Sequence, residues 1–157
     1  MNRTRTIRAG AVLLAVALTA AGAACGDDDG ESGGVTKTEY LTQARMICQK
    51  GNRTLTAASN DILAKLPPGQ KLPEPEVENF VRTTVIPTIR DQVAQLRALT
   101  PPKGEKKHVE EIYKELDEGL DELEKDPKKL SDGSNVFADA DALAKKYGID
   151  VCSAPTG

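Results

Sequence analysis

Tryptophan is absent from this chain of 157 residues, and the other aromatics are Phe80, Phe137, Tyr40, Tyr113 and Tyr147. Proteins that grip single-stranded nucleic acid stack bases on aromatic rings, and five rings spread over the chain make no such platform. Positive charge is scarce where it would be needed. Arg3, Arg5 and Arg8 are the only charges ahead of Cys25, so a chain starting at Cys25 carries 18 basic against 24 acidic residues, a net of −6 compared with −3 for the whole. Such a chain repels phosphate backbones, and no nucleic-acid partner is expected. Histidine occurs once, as His108 beside Lys107. It reads as an exposed residue at a helix start. The spacings H-E-x-x-H, G-x-S-x-G, G-x-x-x-x-G-K and G-x-G-x-x-G do not occur. One histidine and three cysteines are a thin supply for a zinc site. These absences predict a protein that is not an enzyme and needs neither metal nor cofactor.

No apolar run reaches the roughly 20 residues of a spanning helix. The longest apolar run, residues 9–24, has 16 residues without a charge and follows three arginines. That is the pattern of an export signal over residues 1–24. Its end, Gly22-Ala23-Ala24-Cys25, resembles the lipobox of bacterial lipoproteins, in which the cysteine takes a diacylglycerol before cleavage. That resemblance implies a lipid on Cys25 and a protein held at the outer face of the cytoplasmic membrane. The alternative is that Ala21-x-Ala23 serves an ordinary signal peptidase, giving a secreted protein. The count of cysteines bears on the choice. Three thiols are odd for an exported chain, and acylation of Cys25 leaves Cys48 and Cys152 to pair. Residues 25–35 then read as a lipidated cysteine and an acidic, flexible tether of roughly 15–20 Å. Asp27, Asp28 and Asp29 are adjacent, without the alternation of a calcium loop.

The mature domain, residues 36–153, predicts four helices. Thr36-Lys37-Thr38-Glu39 is a capping box, and Tyr40, Ala44, Ile47, Cys48, Gly51, Leu55, Ala58, Ile62 and Leu66 follow at helical spacing until Pro67. A second helix spans about 76–99. Val77, Phe80, Val81 and Val85 form one stripe, and Ile89, Val93, Leu96 and Leu99 form another, rotated by about 100°. With Pro87 between them, the spacing predicts a kink or a π-type bulge, or else a plain break. A third helix, about 105–125, carries Val109, Ile112, Tyr113, Leu116, Leu120 and Leu123 on one face, with Glu110 and Lys114 spaced to pair. A fourth, about 134–147, is expected to end on Gly148 in the left-handed conformation. Asp132, Asp139 and Asp141 around its start read as capping and dipole-favoured acids, not calcium ligands. Residues 149–152 read as an extended tail, and 154–157 as frayed.

Four amphipathic helices bury their stripes only against one another, so the expected fold is an all-α, small four-helix bundle with helix 2 kinked at Pro87. Export and burial favour a disulfide between Cys48 and Cys152, with two buried free thiols as the alternative. Three groups of residues resemble a set of small exported helical proteins of actinobacteria, usually labelled only as lipoproteins. They are Tyr40-Leu41-x-x-Ala44-x-x-Ile47-Cys48, Val85-Ile86-Pro87-x-Ile89-Arg90-x-Gln92-x-x-x-Leu96 and Ala144-Lys145-Lys146-Tyr147-Gly148-Ile149-x-Val151-Cys152. The resemblance implies the helical fold and the Cys48–Cys152 bridge, and no activity.

Function is accordingly expected at a surface or in a gap. The leading expectation is a membrane-tethered interaction or scaffold module that meets an envelope protein. The alternative is a carrier of a small apolar ligand, in a space left by the Pro87 kink, Gly51 and the many alanines. A hollow well above roughly 300 Å³ favours the second, and a solid interior excludes it.

Overall fold

The computed structural model describes residues 34–149 and Cys152. The signal at 1–24, Cys25, most of the tether and the tail at 154–157 lie outside the described residues. Within them every regular element is a helix. These are α1 (Lys37–Leu63), α2 (Glu74–Phe80), α3 (Ile86–Arg97), α4 (Lys106–Lys125) and α5 (Ala138–Tyr147). One π turn (Val81–Val85) joins α2 and α3 into a single rod, and a 3₁₀ turn (Pro127–Leu130) follows α4. Counting that rod once, the fold is the expected all-α four-helix bundle.

Each helix begins or ends for a local reason. Thr36 Oγ1 accepts from the Glu39 N–H at 3.2 Å and the Thr36 N–H donates to Glu39 Oε2 at 2.9 Å, the reciprocal capping box read in the sequence. At the other end α1 stops at Leu63, short of Leu66. Lys65 and Leu66 tighten into bonds three residues back, as a chain approaching Pro67 must leave the helical region. The second rod starts at Glu74, two residues earlier than expected, with Pro75 in the first turn, where its missing N–H costs nothing.

The re-aimed stripe of that rod has its predicted cause. The Ile86 N–H donates to the Val81 carbonyl, five residues back. This one wide turn inserts about a residue's worth of rotation and brings Val81, Val85, Val93 and Leu96 all into the interior. Pro87, with no N–H to place, follows at once and stays exposed.

Helix four begins later than expected, at Ala138. Asp132 Oδ1 accepts from the Ser134 N–H at 2.8 Å and Asn135 Oδ1 from the Phe137 N–H at 3.3 Å. These local side-chain bonds hold 134–137 in turns that compete with a helix. The end is as foreseen: Gly148 has φ +107°, its N–H reaches the Lys145 carbonyl, and the Ile149 N–H reaches the Ala144 carbonyl at 2.8 Å. Cys152 departs from the expected extended tail. Cys152 turns back, its N–H donating to the Ile149 carbonyl at 3.3 Å, and it is disulfide-bonded to Cys48 with a Cα–Cα separation of 4.9 Å. On α4, Lys114 pairs with Glu118 at 2.7 Å and Glu115 at 3.3 Å in place of Glu110.

The interior falls into two clusters. One holds Tyr40, Ala44, Cys48, Ile112, Tyr113, Tyr147 and Ile149. The other holds Val81, Val85, Ile86, Leu120, Leu123 and Phe137, and Leu116 packs against both. The first is pinned by a buried relay. Tyr113 donates its hydroxyl proton to the Leu96 carbonyl at 2.9 Å, so Tyr40 donates to Tyr113 at 2.7 Å, tying α1, α3 and α4 together. Burial pushes both tyrosine pKa values up.

Candidate functional site

Half of α1 lacks a full cover. Tyr40, Ala44, Cys48 and Gly51 on its stripe are buried, but Leu55, Ala58 and Ile62 are only half-buried. Opposite them, Phe80 and Ile89 on the second rod are also half-buried. A pocket of about 500 Å³ occupies the space between, at the seam of the two clusters. From the second rod, Phe80, Val85, Ile89, Val93 and Leu96 line it; from α4, Leu116; from the loops, Leu130 and Phe137. Its volume lies in the ordinary range for small-molecule sites.

The polar groups of the wall are few and mostly neutral. Asn52, Thr56, Ser59 and Asn60 recur along one flank of α1, and Gln92 faces them from α3. The exposed Thr56, Asn60 and Leu130 mark the rim. Gln92 is buried, and its amide donates to the Cys48 carbonyl at 3.2 Å. Asp141, half-buried in the first turn of α5, supplies the only charged side chain among the described lining residues. Burial holds its carboxyl above the usual range, partly offset by a hydrogen bond with Asn135. The disulfide borders the same space through Cys48 and Cys152.

The residues expected to leave a gap do not wall this pocket. A Cβ at Gly51 would overlap the Gln92 side chain, so the glycine makes room for that amide. Gly51 and Pro87 border a smaller hollow of about 240 Å³, whose lining includes Lys50 and Asp91. The signal that the sequence did hold was the run of apolar α1 positions past Leu55, which had no guaranteed partner. Asp141 was legible as a first-turn acid of the last helix, but not as a cavity residue, because Phe137 and Leu130 reach the seam through irregular turns. Cys48 and Cys152 are brought together; Cys25 lies outside the described residues.

His108 stands apart, exposed, with Nδ1 3.1 Å from Glu105 Oε2. Among the described residues no three His, Cys, Asp or Glu side chains converge as a metal site, and no helix is long and apolar enough to cross a membrane. The site arrangement offers apolar enclosure and hydrogen bonding, with no paired acid and base or activated nucleophile placed in it. Comparison with protein-family models, with curated proteins and with solved structures finds no match to this chain.

Proposed function

We propose that the protein binds or carries a small apolar ligand between its helices, at the outer face of the cytoplasmic membrane, to which a lipid on Cys25 tethers it. The observation that carries the binding reading is the pocket of about 500 Å³ with walls of Leu, Ile, Val and Phe. The pocket opens to solvent past the exposed Thr56, Asn60 and Leu130, so its apolar walls face water unless a ligand covers them. The anchor rests on the charged and apolar halves of residues 1–24, the sequence leading into Cys25, and the odd third thiol.

An interaction module has less behind it. Met46, Leu63 and Leu130 are exposed, but they stand on the first half of α1, at its end and in the 3₁₀ turn. Single exposed apolar side chains are ordinary on soluble surfaces.

Ligand binding is tested with a neutral environment-sensitive dye such as Nile red. The purified protein should take it up saturably, and a tryptophan at the wall (Ile89→Trp) or rim (Thr56→Trp) should weaken uptake about tenfold with helical content unchanged. No uptake, or uptake indifferent to both variants, rules the reading out. For the tether, Cys25→Ala should move the protein from membrane to medium or leave it unprocessed. Unchanged membrane retention would refute acylation.

A further inference from the structure

A ligand site has a sign as well as a shape. Asp141 is the only charged side chain among the described lining residues, and no lysine, arginine or histidine shares that wall. Its side chain hydrogen-bonds with Asn135 and pairs with no cation among the described residues. The other polar lining groups, from Asn52, Thr56, Ser59, Asn60 and Gln92, are amides and hydroxyls. Such groups satisfy either sign or none.

We propose that the cavity takes a single-chain amphiphile with a cationic head, a primary or quaternary ammonium, and discriminates against the carboxylate of the same chain. This rests on the cavity being a ligand site. The apolar chain would lie against Phe80, Ile89, Val93 and Leu116, with the head at the Asp141 carboxylate. Beside apolar walls the interaction of two charges is screened less than in open water. An ammonium therefore gains a partner there, while a carboxylate meets a like charge with no lysine or arginine to offset it. Partial burial raises the Asp141 carboxyl pKa by disfavouring the charged form, and a neighbouring cation favours that form.

The test is calorimetric titration of the purified protein at neutral pH with octylammonium, octanol and octanoate, which share one chain and differ in the head. Octylammonium should bind about fivefold more tightly than octanol, and octanoate more weakly than either. Asp141→Asn should bring octylammonium to the level of octanol and leave octanol unchanged. That variant matters because the acidic protein as a whole attracts cations, and its net charge barely changes with one residue. An ammonium preference that survives in Asp141→Asn comes from the general field and overturns the proposal. Should that variant fail to fold, the wild-type order still decides: octanoate binding as tightly as octylammonium overturns it. Octanol binding with no discrimination among heads removes this inference alone. Failure of all three ligands and of the neutral dye removes the cavity reading beneath it.

Discussion

Gly119 is a poor helix former in the middle of α4, and what lies over it accounts for its presence. A Cβ built at Gly119 would stand 2.6 Å from the Phe137 ring and 2.7 Å from the Val136 carbonyl oxygen. Alanine there gains at most about 1 kcal/mol of helix propensity. Overpacking costs about 1–3 kcal/mol, and the backbone oxygen cannot swing aside as a flexible side chain can. Gly119→Ala should therefore destabilise the domain by about 1 kcal/mol, a fall in Tm of roughly 4 °C for a domain of this size. A raised Tm would mean that Phe137 yields freely. Phe137 also walls the cavity, so the same variant should disturb dye uptake. None of this was legible from the sequence, where Gly119 sits among charges with nothing to mark the ring above it. Tyr40 and Tyr113 were legible as interior positions from their spacing. Their relay to the Leu96 carbonyl was not, because it depends on how three helices meet.

At the scale of elements, legibility followed the strength of local rules. The capping box at Thr36, the left-handed Gly148 and the wide turn before Pro87 each belong to a few neighbouring residues, and each stands as the spacing predicts. The wide turn is the most telling. Two apolar stripes offset by about 100° cannot both face one core along a regular helix, so the rod must slip by a residue somewhere. Proline marks a place where the slip is cheap, because the bond that it lacks is disrupted there in any case. The last helix was misjudged at its start for a reason of the same kind with opposite sign. Val136 and Phe137 keep helical spacing, yet Asp132 captures the Ser134 N–H and Asn135 the Phe137 N–H, and these local bonds win. The resulting turns carry Phe137 into the seam, so the cavity depends on the very segment that periodicity described least well.

For the whole molecule, the disulfide and the hollow are coupled. The bridge joins positions 104 apart in sequence, and in the chain-entropy view it removes up to about 4.7 kcal/mol of freedom from the unfolded state. A small domain with five aromatic side chains has little other reserve. Cys48 and Cys152 also line the pocket, so the clamp that stabilises the fold holds the turn after α5 against one wall of the site. Cys48→Ser should lower Tm by about 10 °C or more and weaken binding of the neutral dye at temperatures where the helices persist. Loss of stability with unchanged dye affinity would separate the two roles and leave the bridge as a clamp alone. An unaltered Tm would argue that packing of the Tyr40–Tyr113–Tyr147 cluster by itself holds the tail in place. The coupled outcome is expected because Ile149 is buried in that same cluster and its carbonyl accepts from the Cys152 N–H. Freeing the sulfurs removes the covalent tie of Cys152 to α1 and leaves the described contacts of Gly148 and Ile149, with the Cys152 N–H bond to the Ile149 carbonyl, to hold that wall.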